Sequence, residues 1–263
     1  MKKCFTINPM RTTEDFLEYE KLLSKGIFQG IEIFYPYTLS DSSKKTYTEN
    51  VEKIHKKYPE VEVVMHLPYG RDNDLCDFTN YQKIVDRLKE GIIYTSQFKT
   101  KKLTLHLGAV KEEISREVYI EHIVPILRDL CNFSKTYKMA VMIENMPGKG
   151  ELGFSPEEIL TIIQKVNLSN LKFILDTGHA HVSGYENPLY IRTLKDYLYH
   201  MHFSDNDRST DQHKRIGLGN IDFKEIFFEL AKADYNELHC LEVIFNRPEE
   251  LLDFAQDMDR VSR

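Results

Sequence analysis

The sequence predicts an α/β fold, a single (β/α)8 TIM barrel that takes up residues 1–263 as one domain. Short apolar runs alternate eight times with longer amphipathic segments, a pattern typical of βαβ units and a parallel sheet. Eight such units in 263 residues favour a closed barrel over an open doubly wound sheet. No GxGxxG follows the first strand and no GxxxxGK(S/T) occurs, so the nucleotide-binding forms of an open sheet lose their main support.

The apolar runs predict the bounds of eight strands. The strands cover residues 3–8, 30–34, 62–67, 102–107, 140–144, 172–176, 198–203 and 238–243. Helical spacing of apolar residues marks the segments between them, as in Phe16, Leu22 and Leu23 of the first segment. Ser155 and Pro156, followed by two glutamates, predict a helix start, because a hydroxyl caps the first turn and proline suits its first position.

Composition and charge narrow the classes of protein. Apolar residues make up 41% of the chain, but no run approaches the roughly 18 residues of a spanning helix, so no membrane partner is expected. The formal net charge is -6, whereas proteins that bind nucleic acid usually carry a basic surplus. The four cysteines are scattered without a CxxC pair, which predicts reduced thiols in a cytoplasmic protein. The start MKKCFTINPM is interrupted by polar residues and is interpreted as a strand, not a signal peptide.

Six successive predicted strands, the third to the eighth, end in a titratable side chain. In chain order these residues are His66, His106, Glu144, Asp176, His202 and Glu242. The carboxyl ends of barrel strands and the loops after them build the active site. Three carboxylates and three imidazoles are therefore expected around one mouth, where His200 competes with His202 because both share a strand face.

A metal ion explains this set of side chains best. Crowded carboxylates repel one another unless positive charge lies among them, and an unpaired buried carboxylate costs several kcal/mol. Mixed carboxylate and imidazole donors suit divalent Mn, Zn, Co, Fe or Mg, whereas a structural zinc site would use thiolates. The sequence leaves the identity of the ion open, and its number at one, two or three.

Three segments resemble the xylose isomerase-like barrel superfamily, which includes sugar (phosphate) isomerases and epimerases and the family-2 apurinic endonucleases of the endonuclease IV type. The segments are IENMPGKGELG, LDTGHAHVSG and HFSDNDRSTDQHKRIGLGNIDF. The resemblance runs from the second predicted strand to the eighth. It implies the same barrel and a metal-dependent enzyme.

The resemblance to the epimerases implies one divalent ion held by Glu144, Asp176, His202 and Glu242. Glu144 and Glu242 would also be the catalytic acid and base, which move a proton beside a carbonyl while the metal polarises the oxygens. His179 and Arg208 match positions that bind substrate oxygens. Glu32 resembles a strand-two glutamate of the isomerases and is expected to bind substrate.

The resemblance to the endonucleases implies a larger metal site. Five further ligands join the four above, and all five positions are filled here, by His66, His106, His179, Asp211 and His213. In that group a three-metal cluster activates water for phosphodiester cleavage. Nucleic acid would be a partner only under this alternative.

The first and last strands depart from the endonuclease pattern. CFTINPM lacks the glycine–histidine segment with which those nucleases open, and LEVIF lacks the proline that follows their last glutamate. The leading hypothesis is therefore an isomerase or epimerase of a small sugar or sugar phosphate. An abasic-site endonuclease and a related dehydratase or lyase are the alternatives. Oligomeric state stays open, with a homo-oligomer paired through exposed barrel helices as one outcome.

Overall fold

Eight parallel strands close into a barrel in simple chain order, as predicted. The computed structural model describes residues 1–263. The strands are β1 Lys2–Ile7, β2 Gly30–Phe34, β3 Glu62–His66, β4 Lys102–Leu105, β5 Ala140–Glu144, β6 Leu171–Asp176, β7 Leu198–Phe203 and β8 Leu238–Leu241. Pairing of β1 with β8, where Cys4 lies opposite Cys240, closes the barrel.

Nine helices follow the strands in sequence. They are α1 Thr13–Ser24, α2 Asp41–Lys57, α3 Tyr81–Thr95, α4 Arg116–Thr136, α5 Pro156–Val166, α6 Thr177–Val182, α7 Asn187–Leu194, α8 Phe223–Lys232 and α9 Glu250–Val261. The predicted start of α5 is confirmed, with Ser155 Oγ accepting a hydrogen bond from Glu158 N. The short helix α6 follows β6 directly and lies at the mouth. None of the nine helices has the length and apolar character needed to cross a membrane.

Four predicted strands run one or two residues too far at their carboxyl ends, and the first of them, β1, ends at Ile7 instead of residue 8. β3, β4 and β8 end at residues 66, 105 and 241, whereas the apolar pattern continues through Leu67, Leu107 and Val243. These three side chains remain buried although they lie beyond the ends of the strands, so hydrophobicity alone overestimates strand length. As a result, His106 and Glu242 stand just past their strands.

Side chains at alternate strand positions fill the barrel interior, as the period of two requires. A small apolar layer occupies its middle, formed by Cys4, Val64, Met142, Ile174, Leu238 and Cys240. Below this layer, at the amino-terminal ends of the strands, the buried Lys102 forms ion pairs with Glu62 and Glu237. The Lys102 ammonium also lies over the Tyr199 ring. This floor closes the end of the barrel opposite the mouth.

His239 is expected to make the fold sensitive to acid. Its ring is buried among aromatic side chains, with centroids 5.5 Å from Phe203 and 5.8 Å from Phe227. Burial lowers the pKa of His239 to about 4. Between about pH 6.5 and pH 4 this histidine is therefore protonated in the unfolded chain and neutral in the folded chain. The stabilisation is complete above the unfolded pKa and is lost as the pH falls from 6.5 towards 4. From pH 7 to 5 the loss is about 2 kcal/mol.

The His239→Phe variant, free of metal, should therefore lose about 2 kcal/mol less unfolding free energy than the metal-free wild type between pH 7 and 5. Urea titrations at the two pH values measure this difference. His55→Phe is the matched control, because the His55 ring is only partly buried. Its loss of unfolding free energy between the two pH values should differ less from that of the wild type. An equal loss in His239→Phe and wild type would contradict the expectation.

Candidate metal centre

The structure brings the nine candidate ligands together at the carboxyl end of the barrel. Their donor atoms form three groups, and within each group the atoms lie within 4.8 Å of one another. The first group is His66, His106 and Glu144; the second is Glu144, Asp176, His202 and Glu242; the third is His179, Asp211 and His213. Strand ends supply most of these residues, while α6 supplies His179 and the loop after β7 supplies Asp211 and His213.

Glu144 joins the first group to the second. Its Oε2 lies 2.9 Å from His106 Nε2 and 3.8 Å from His66 Nε2. Its Oε1 lies 3.1 Å from His202 Nδ1 and 3.6 Å from His179 Nδ1. The side chain is only 1% exposed, so both carboxylate oxygens are directed at other candidate ligands and neither is directed at solvent.

The second group, at the centre of the mouth, contains an unpaired buried oxygen. Asp176 Oδ1 accepts the backbone N–H of His179, but Asp176 Oδ2 has no hydrogen-bond partner. Burial raises the pKa of Asp176 to about 7. A divalent cation fits here, because it would supply the charge that this carboxylate lacks and stabilise its ionised form.

The third group has the same character nearer to solvent. Asp211 Oδ2 lies 2.8 Å from His213 Nε2 and 3.2 Å from His179 Nε2, while Asp211 Oδ1 is buried without a partner. Burial would lower the pKa of His213, but the hydrogen bond to Asp211 and the nearby carboxylates outweigh it and raise the pKa to about 10. Protonated imidazoles thus balance the negative charge of these carboxylates, and a divalent cation at the same place would balance it instead.

Hydrogen bonds to backbone carbonyls orient three of the histidine rings. Nδ1 lies 2.9 Å from Leu67 O in His66, 2.9 Å from Asn145 O in His179, and 3.0 Å from Glu242 O in His213. Because a carbonyl oxygen only accepts hydrogen bonds, each Nδ1 carries the hydrogen. In a neutral ring, Nε2 then has a free lone pair with which it can bind a metal ion. Such outer contacts are typical of metal-binding histidines.

Two polar residues that sequence reasoning did not assign hold the loops of the mouth. Asn145 forms two hydrogen bonds with the backbone of Asp176, one through each side-chain atom. The Asp205 carboxylate accepts backbone N–H groups of Gly217, Gly219 and Ile221. A Cβ at Gly219 would lie 2.2 Å from Asp205 Oδ1, so the glycine pair in RIGLGN was the signal for this loop anchor.

The predicted substrate-binding residues do not all reach the mouth. His179 belongs to the third group. Arg208 is exposed on the loop after β7, where its Nε donates to His181 O at 3.2 Å. Glu32 is fully buried below the central group, with Oε2 2.8 Å from His202 Nε2; its role in substrate binding stays a prediction. His200 lies beside Glu32 at 2.9 Å, which leaves His202 as the β7 residue of the mouth.

Tyr69 separates two clefts that open on the candidate ligands. Its ring packs on His66 and His106, with centroid distances of 4.8 and 5.2 Å. One cleft, of about 350 Å³, is lined by His106, His179 and Arg71 among others. The other, of about 330 Å³, is lined by His213, Glu242 and Arg11 among others. A substrate can therefore approach the groups from both sides of Tyr69.

A sequence profile described as xylose isomerase-like TIM barrel matches residues 21–261. The chain belongs to the xylose isomerase-like TIM barrel family. This agrees with the resemblance seen in the strand-end motifs, and the buried His/Glu groups are consistent with the divalent metal sites expected of that superfamily.

Curated relatives align with much of this xylose isomerase-like barrel. An uncharacterised protein of Methanocaldococcus jannaschii is 28% identical over 191 residues, which cover 70% of this chain and 64% of that protein. The chain thus spans less than two thirds of that relative. A second protein of the same organism is 28% identical over 85% of this chain and 87% of its own length. The probable endonuclease 4 of Mycoplasma mobile is 30% identical, with 68% and 66% covered.

Solved structures with the same fold carry the names of sugar epimerases. A D-tagatose 3-epimerase-like protein superposes with a TM-score of 0.79 at 23% identity, covering 99% of both chains. The 3-keto-D-glucoside 4-epimerase of E. coli has a TM-score of 0.77 at 15% identity, again with 99% of both chains covered. The D-allulose 3-epimerase of Methylomonas sp., in complex with D-allulose, has a TM-score of 0.77 at 15% identity over 100% and 94% of the chains. At these identities the likeness establishes the fold.

We expect the protein to bind three divalent ions per chain, one for each group of donors. Elemental analysis after stripping with a chelator, reloading with Zn²⁺ or Mn²⁺ and gel filtration measures the ratio. Asp211→Asn should lower the content by one ion, because the third group then loses its only carboxylate. Glu237→Gln, at the floor of the barrel, is the control and should keep the full content. A wild type that binds a single ion would contradict the expectation.

Proposed function

We propose that the chain is a metal-dependent hydrolase of phosphodiester bonds, with abasic DNA as its substrate class. The position of Glu144 carries this proposal. Both of its oxygens face candidate ligands, of the first group on one side and of the central group on the other. A carboxylate so enclosed suits a ligand shared by two ions, and it is badly placed to move a proton on a substrate. Of the two activities that the motifs imply, this favours hydrolysis over epimerisation.

Divalent ions at these groups would supply Lewis acidity, which stabilises the developing charge on phosphoryl oxygens and makes water a better nucleophile near neutral pH. The chain's own residues divide into two depths. Asp176 and His202 are fully buried and serve to hold charge. Glu242 and His213 retain side-chain exposures of 16% and 27% and line a cleft, so these are the groups that orient an attacking water and accept its proton.

The surroundings of the mouth also suit an anionic, extended substrate. Each cleft beside Tyr69 is lined by one arginine, Arg71 on one side and Arg11 on the other. A phosphodiester has two ester arms, and a cation on each side would attract the phosphates that flank the reacting one. The relatives named probable endonuclease 4 support the choice of abasic DNA within this class.

The reloaded protein should cleave an end-labelled duplex that contains one abasic-site analogue and leave the undamaged duplex intact. Asp211→Asn should lower kcat by roughly 100-fold or more, because a lost metal position removes several kcal/mol of charge stabilisation. Glu237→Gln should cleave at the wild-type rate. Absence of cleavage by protein that carries three ions per chain would overturn the proposal.

Epimerisation of a small sugar is the second candidate, favoured by the completeness of the central group. Glu144, Asp176, His202 and Glu242 would hold one ion without the other five residues, and Glu242 is partly exposed at a cleft. In that case the Mn²⁺-loaded protein exchanges the proton beside the carbonyl of a keto sugar for solvent deuterium, and Glu242→Gln abolishes the exchange. NMR of a panel of keto sugars and their phosphates in D₂O tests it, and no exchange in any of them would remove this candidate.

A further inference from the structure

A fully buried carboxylate, Glu32, lies in the barrel interior below the central group. It is the third residue of β2, and its side chain is 0% exposed. Three donors surround it. Thr104 Oγ1 donates to Oε1 at 2.8 Å, and Oε2 lies 2.9 Å from His200 Nε2 and 2.8 Å from His202 Nε2. A buried carboxylate with this many donors is stabilised in its ionised form.

The ionised Glu32 determines which nitrogen of each ring carries hydrogen. An ionised carboxylate only accepts hydrogen bonds, so Nε2 of His200 and Nε2 of His202 must both be N–H groups. His200 Nδ1 is buried without a partner, which fits a neutral ring whose single hydrogen is on Nε2. An orphaned buried N–H is rarer than an under-used acceptor.

The same hydrogen bond leaves Nδ1 of His202 directed at the central group. His202 Nδ1 lies 2.9 Å from Glu242 Oε2 and 3.1 Å from Glu144 Oε1. His66, His179 and His213 have the opposite arrangement, with Nδ1 on a backbone carbonyl and Nε2 towards the mouth. Among the candidate ligands, His202 therefore presents Nδ1 and is held from behind by a carboxylate.

We propose that Glu32 is a positioning residue, which fixes the Nε2–H tautomer of His202 and strengthens Nδ1 as the ligand of the central ion. A carboxylate behind an imidazole raises its basicity as a ligand and locks the ring orientation. Thr104 and His200 hold Glu32 in place, since each donates a hydrogen bond to its carboxylate and so restricts rotation of the side chain. This role concerns metal binding alone, so it stands or falls independently of the hydrolase proposal.

Cys240 lies close to these residues, and together they could form a separate metal site. Glu32, His200, His202 and Cys240 also offer donor atoms within 4.8 Å of one another. The hydrogen bonds that already occupy Glu32 favour the positioning role, because an ion at this place would have to displace the hydrogens of two Nε2–H groups. A separate ion bound there is an outcome that the experiment must distinguish.

Glu32→Gln tests the positioning role directly. The amide keeps the shape of the side chain, but its NH₂ group faces a donor, so the support behind His202 weakens. Competition with a chromophoric chelator for Zn²⁺ should show the affinity of one of the bound ions falling about 10–100-fold, with the others unchanged. Thr104→Val leaves Glu32 in place and removes one donor; it should cause a smaller loss and serves if Glu32→Gln does not fold. Glu237→Gln, a carboxylate variant at the floor, should bind all ions as the wild type does.

Nitrogen NMR of histidine-labelled, Zn²⁺-loaded protein gives the second measurement. We expect His202 to show a hydrogen on Nε2 and metal on Nδ1 in the wild type, and a changed Nε2 signal in Glu32→Gln. Unchanged metal affinity in Glu32→Gln, or a hydrogen on Nδ1 of His202 in the wild type, would overturn the proposal. A fourth ion bound by the wild type and lost from Glu32→Gln would also overturn it, in favour of a separate site with Cys240.

Discussion

Repulsion among buried carboxylates is the constraint on which the mouth of this barrel depends. Glu144, Asp176 and Glu242 offer oxygens within 4.8 Å of one another, and Asp176 has one oxygen without any donor. Such crowding is stable only with positive charge among the anions. Imidazoles from β3, β7, α6 and the segments after β4 and β7 provide it, and they also supply the mixed donors that divalent metals prefer. Charge balance and metal binding are therefore two aspects of one arrangement.

The geometry of the barrel strands brings these charged side chains together. Parallel strands carry inward side chains at every second position, and the end residues of β5 and β6 are both inward. Their carboxylates consequently meet without any special loop. Helix α6 and the loop after β7 add the third group, and Asp205 anchors the loop that carries Asp211 and His213. A buried strand layer thus lies beneath a more exposed outer group.

The fold and six of the nine residues of the mouth were predictable because they follow from local patterns, whereas His179, Asp211 and His213 came from the resemblance. Alternation of strand and helix gave the topology, and polar residues at strand ends gave the site. Glu32 was expected to bind substrate; it precedes the last residue of β2, Phe34, by two positions and therefore lies one layer deeper in the barrel. Arg208 depends on a backbone with φ of 73°, and no single-sequence pattern reveals which way such a loop turns a side chain. The role of Asp205 depends on contacts with residues distant in the sequence, which a local pattern does not reveal either.

The closed floor of the barrel has a consequence for how ions exchange with solvent. Lys102, paired with Glu62 and Glu237, and the apolar layer above it leave the mouth as the one entrance. An ion bound for the central group would enter through the mouth past Glu242, which lines a cleft, towards the fully buried His202. Ions held at the mouth would therefore exchange with solvent from one side of the barrel only.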